Sequence, residues 1–225
     1  MDRNHLNRRY CIAAGVLAAA AGLSSASGAA ISARAIQASR PKTILVLGDS
    51  LSAEYGLKRG SGWVALLEKK LKAEDVRASV VNASISGDTT SGGRSRLPAL
   101  LTQHKPTHVI LELGANDALR GLQLQLTQDN LTFMTQTAQQ AGARVLLIGM
   151  QVPPNYGRDY GEHFAALFAS VAKANKAALV PFLLKGIADV PDSTRLFQAD
   201  RIHPNEEAHP LMLGNVWPEL KKLLK

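Results

Sequence analysis

Thr43-Ile44-Leu45-Val46-Leu47-Gly48-Asp49-Ser50-Leu51-Ser52 runs through four consecutive apolar residues and then breaks into Gly, Asp and Ser. A short apolar run closed by turn residues reads as a buried strand. In an open α/β sheet, ligands and chemistry gather at the carboxyl ends of the strands. Ser50 is therefore a candidate nucleophile, although a serine in that place serves equally well as a turn residue or a helix cap.

Working outward, the same alternation repeats. Trp63 to Leu71 places apolar residues at helical spacing between Lys and Glu, an amphipathic helix. Ala78–Asn82 is a second strand, ending in the polar turn Ala83-Ser84-Ile85-Ser86-Gly87-Asp88. A helix is expected from Gly92 to Gln103, and Pro106 closes it. His108–Leu113 is a third strand, ending in Gly114-Ala115-Asn116-Asp117. Thr127 to Gly142 reads as a helix with Thr127 as its cap and Gly142 as its stop. Arg144–Met150 is strand four, Tyr160–Lys176 a helix and Ala178–Leu183 strand five. A last helix runs from about Asn205, with Pro210 and Pro218 starting or kinking parts of it.

Each crossover helix must bury its apolar stripe against one face of the sheet. The expected fold is thus α/β: a three-layer α/β/α sandwich on a five-stranded parallel sheet in the flavodoxin-like order 2-1-3-4-5. That order makes strands one and three neighbours at the switch point, so the Ser50 and Asn116 loops meet there.

The amino terminus has its own logic. Arg3, Arg8 and Arg9 precede an uncharged apolar run from Cys11 to Leu23 and a small-residue tract from Ser24 to Ala35. This is the pattern of a secretory signal peptide, with an uncleaved anchor as the alternative. Residues 1 to 35 are expected to be removed on export, which places the mature chain in the periplasm or outside the cell. The run falls short of the ~20 apolar residues that span a bilayer, so no stable membrane insertion is expected after processing. The remainder, 36–225, has the length of a single domain.

Cys11 is the only cysteine, so the mature chain would lack a disulfide or a thiolate nucleophile. The formal charge of +8 is spread over helix-face lysines and the tail, without the concentrated stripe and interleaved aromatics of a nucleic-acid-binding surface. No set of the six histidines has metal-site spacing, so neither metal nor other cofactor is expected. Gly60-Ser61-Gly62-Trp63-Val64-Ala65 loosely fits a dinucleotide fingerprint, but it follows no strand directly and no acidic strand end lies where a ribose partner belongs.

Acyl transfer needs a nucleophile, a base, a group that orients the base, and donors for the oxyanion. Ser50 can be the nucleophile and His203 the base, with Asp200 three residues earlier to hold one ring nitrogen. The bland reading of Asp200-x-x-His203 is a local turn pair. The backbone N–H groups of Ser50 and Gly87 and the side-chain amide of Asn116 can serve the oxyanion. Gly87 could equally be only a turn former and Asn116 only a strand-end cap.

Gly48-Asp49-Ser50-Leu51-Ser52, Gly87, Gly114-Ala115-Asn116-Asp117 and Asp200-Arg201-Ile202-His203-Pro204 together resemble, in order, the four sequence blocks of the SGNH, or GDSL, hydrolases. Within that family the chain is most similar to the periplasmic bacterial thioesterase I, lysophospholipase and arylesterase group. The resemblance implies Ser50, Asp200 and His203 as catalytic triad, and Ser50, Gly87 and Asn116 as oxyanion hole. It also implies that Leu119, Arg120, Gly121 and Leu122 line the acyl site in a mobile loop, the other reading being that these leucines cap a helix. Ser52 in place of a final glycine departs from the G-x-S-x-G elbow of α/β-hydrolases. The expected activity is hydrolysis of small acyl esters or thioesters by a cofactor-free monomer, with carbohydrate deacetylation as the alternative.

Overall fold

The computed structural model describes residues 41–225, so the expected leader and its cleavage region lie outside the described residues. Five strands form one parallel sheet: β1 (Lys42–Gly48), β2 (Ala78–Asn82), β3 (His108–Glu112), β4 (Arg144–Ile148) and β5 (Ala178–Val180). Their spatial order is β2-β1-β3-β4-β5, as expected. Central strands show why the sequence reads as apolar runs: every residue of β3 is buried, and so are Leu45 to Gly48 of β1. A parallel strand covered on both faces has no wet side to alternate with.

The helices are α1 (Trp63–Ala73), α2 (Thr90–His104), α3 (Ala115–Leu119), α4 (Leu124–Gln140), α5 (Arg158–Ala174) and α6 (His209–Leu223). α1 and α6 pack together on one face of the sheet; α2, α4 and α5 pack side by side on the other. α1 buries Trp63, Val64, Leu67 and Leu71, the stripe its spacing predicts.

Several boundaries move for identifiable reasons. β5 stops at Val180 because Pro181 has no N–H to donate to a ladder. α2 begins at Thr90, where the Thr89 hydroxyl accepts from the Gly92 N–H at 3.4 Å, one turn's worth of cap that the expected start at Gly92 missed. α4 begins at Leu124, so Thr127 lies inside the helix and is fully buried, not a cap. Pro210 sits in the first turn of α6 and Pro218 in its interior.

At the amino end of the sheet, the Thr43 N–H donates to the Thr107 hydroxyl at 3.0 Å. Next to it, His108 Nε2 lies 3.0 Å from the Leu223 carbonyl at the end of α6. The start of β1 and the end of α6 therefore both lie at the end of the sheet opposite the Ser50 turn.

Candidate active site

Ser50 follows β1 in a tight turn. The Asp49 carbonyl accepts from Ser52 N–H at 3.2 Å and from Ala53 N–H at 3.0 Å, and the Asp49 carboxylate accepts from Leu51 N–H at 3.0 Å. Asp49 thus winds the chain around the serine. On the far side of the sequence, Asp200 folds back over its own turn, its Oδ1 accepting from the Ile202 and His203 N–H groups, both at 3.0 Å. Its Oδ2 lies 2.7 Å from His203 Nδ1. Those bonds, led by the His203 and Ile202 backbone N–H groups and then the ring, hold the Asp200 carboxyl at about 2. An ionised acceptor at that distance places the ring proton on Nδ1, which leaves the Nε2 lone pair toward Ser50 Oγ at 3.0 Å. The Tyr55 ring packs against the imidazole, centroids 4.4 Å apart.

The structure brings the other expected residues to the same place. Gly87 turns the chain after β2 with φ of +77°, a conformation open to glycine at little cost. Among the described residues its N–H, like that of Ser50, is donated to no other protein group. Asn116 lies in the first turn of α3, a helix absent from the sequence reading, and its amide donates to Asp49 Oδ2 at 3.1 Å and to the Asp88 carbonyl at 2.9 Å. Both of its N–H bonds are thus engaged, which fixes the amide between the β1, β2 and β3 loops.

In the following loop, Arg120 reaches the Gly87 carbonyl at 2.7 Å, while Leu119 is 39% exposed beside it. Gly121 and Leu122 close the α3 turn through backbone bonds to Ala118 and Asp117. Sequence reasoning did not single out Asp49, Tyr55 or Glu112. Glu112 carried a usable signal, a lone acid inside an otherwise apolar strand. Among the described residues no group of three or more His, Cys, Asp or Glu could hold a metal ion, and no helix is long and apolar enough to cross a membrane.

The arrangement has the parts for acyl transfer, and comparisons with known proteins lead to the same chemistry. Residues 46–211 match the model of the GDSL-like lipase/acylhydrolase family. Esterase TesA of Pseudomonas aeruginosa is 52% identical over 188 residues, covering 84% of this chain and 92% of that one. Thioesterase 1/protease 1/lysophospholipase L1 of Escherichia coli strain K12 is 43% identical, covering 84% and 88%. The crystal structure of the psychrotrophic esterase EstA from Pseudoalteromonas sp., inhibited by monoethylphosphonate, superimposes with a TM-score of 0.76 at 44% identity, over 81% of this chain and 98% of that one. This chain belongs to the GDSL-like lipase/acylhydrolase family and is an ester hydrolase of the esterase and thioesterase type.

Proposed function

We propose that Ser50, His203 and Asp200 form the catalytic triad and that the Ser50 N–H, the Gly87 N–H and the Asn116 amide stabilise the oxyanion. The observation that carries this reading is the unbroken line from Ser50 Oγ through both imidazole nitrogens to the Asp200 carboxylate, 3.0 and 2.7 Å.

In this scheme His203 Nε2 takes the Ser50 proton as Oγ bonds to the acyl carbon of a small ester or thioester. Charge moves onto the carbonyl oxygen, where the donors meet it. The imidazolium, steadied by Asp200, then protonates the departing alkoxide or thiolate and leaves an acyl-Ser50. Water, deprotonated by the same ring, attacks that acyl group, and the acid departs as Ser50 regains its proton. To reach the oxyanion, the Asn116 amide shares or gives up its bond to the Asp88 carbonyl. Leu119, Arg120, Gly121 and Leu122 border this site and line the acyl path.

Ser50→Ala should abolish hydrolysis of a p-nitrophenyl acyl ester and labelling by a fluorophosphonate, with an unchanged circular dichroism spectrum. Retained turnover would overturn the assignment. An acyl-length series then defines which chains are preferred.

The enzyme is also exported, with residues 1 to about 35 removed, and it works as a periplasmic or secreted monomer. The basic start, apolar run and small-residue tract support the export. Mass spectrometry of the protein from the periplasmic fraction, and its elution volume in gel filtration, test it. A full-length chain confined to the cytoplasm would refute the export reading.

A further inference from the structure

One buried acid lies under the nucleophile turn and takes no part in the steps above. Glu112 ends β3 with no exposed surface, in register with Gly48 of β1. A Cβ on Gly48 would sit 2.7 Å from Glu112 Oε2 and 2.8 Å from Ser52 Oγ, so the glycine is what lets the carboxyl come so close. Oε2 accepts from the Ser52 hydroxyl at 2.7 Å and from the Asp49 N–H at 3.3 Å. The Ser52 hydroxyl itself accepts from the Trp63 indole at 3.2 Å.

The other oxygen, Oε1, is buried and receives no donor among the described residues. A protonated oxygen needs no donor, and Glu112 lies directly beside Asp49, whose own N–H donates to Glu112 Oε2. Two adjacent buried carboxyls do not both ionise. Asp49 is the better home for the charge: it accepts from Leu51 N–H and Asn116 Nδ2, and it feels His203. Glu112 is pushed well above the usual carboxyl range, first by burial and then by Asp49. Burial raises Asp49 as well, to about 6, but the two N–H donors on its carboxylate favour its ionised form. The other charge acting on the pair, Asp88, is itself bound to Arg96.

We propose that Glu112 is a positioning residue for ester hydrolysis: as a neutral acid it donates to Asp49 and so holds the carboxylate that fixes the Asn116 amide at the oxyanion site. The inference rests on the reading of the Ser50 site given above.

The test uses the full-length enzyme. Glu112→Ala should lower kcat on a p-nitrophenyl acyl ester by about tenfold or more, with KM moved less than about twofold, and Glu112→Gln should recover most of that loss. The infrared difference between wild type and Glu112→Gln at neutral pH should contain the C=O stretch of one protonated carboxyl. Equal impairment of the two variants, an unimpaired and folded Glu112→Ala, or the absence of the protonated band would each overturn the proposal. If Glu112→Ala fails to fold, the band alone decides. That band does not depend on turnover, so an active Ser50→Ala would sink the triad assignment without touching it.

Discussion

Asp200 keeps 37% of its side chain exposed while His203 keeps 18%, and this difference sets what each contributes. Removing the Asp200 charge by Asp200→Asn disturbs the ring tautomer, for which a buried triad loses about 10⁴ in kcat. Water can reach this carboxylate, so the expected loss is smaller, about 10²–10³-fold, read from kcat on a p-nitrophenyl ester. Because Asp200 stays ionised down to a pH of about 2, the acid limb of the rate profile should report other groups. Asn116→Ala should cost about 3 kcal/mol in kcat/KM, the usual effect of deleting one oxyanion donor. A loss below about threefold would mean that this amide serves only to tie the loops together. Gly48→Ala pushes a methyl group against Glu112 and Ser52 and should destabilise the protein by about 1–3 kcal/mol in urea titration, as overpacking does.

At the scale of elements, α3 is the strut of the site. It is too short to be stable alone and is held by Asp117, which is buried and accepts from the Thr90 N–H at 2.9 Å, from the Thr90 hydroxyl and from the Thr127 hydroxyl at 3.3 Å. Asn130 extends the network to Thr90, and Arg94 to Asn130. Asp117→Ala would strand three buried donors and should cost about 2–4 kcal/mol of stability. Activity should fall with it, since Asn116 shares the strut.

This network also marks where the sequence stopped being legible. Thr127 precedes an apolar periodic run, so it reads as a helix cap; its real partner, Asp117, is ten residues back, on another helix. The strands and their order were readable because apolar runs between turn residues leave few alternatives. That Ser50, Asp200 and His203 would meet was readable because each sits in a short motif with its turn chemistry intact. Glu112 stood out as an acid in an apolar strand, but what it and Tyr55 do was not readable, because their partners lie about 60 and 150 residues away.

For the molecule as a whole, two buried histidines tie distant parts of the chain and set an acid limit on stability. His209 accepts the Trp63 N–H on Nδ1 at 3.0 Å, joining the start of α1 to the start of α6, and His108 joins β3 to the end of α6. Burial lowers both below the ordinary histidine value. Unfolding returns them to about 6.5, so below that pH the unfolded chain binds protons that the native chain refuses, and stability falls as pH falls. Asp49 and Glu112 act in the opposite sense. Burial raises both, so the native chain keeps their protons where the unfolded chain has lost them, and their cost shrinks on acidification. His108→Gln isolates the histidine contribution: its stability deficit relative to wild type should narrow between neutral pH and about pH 5.5 in chemical denaturation. A constant deficit would mean that folding leaves the proton affinity of the ring unchanged. The bond between His108 and the Leu223 carbonyl, at the end of the sheet away from Ser50, has a practical corollary. An enzyme anchored to a bead through Lys225 would present its catalytic mouth outward, and its kcat/KM should stay within about twofold of the value in free solution.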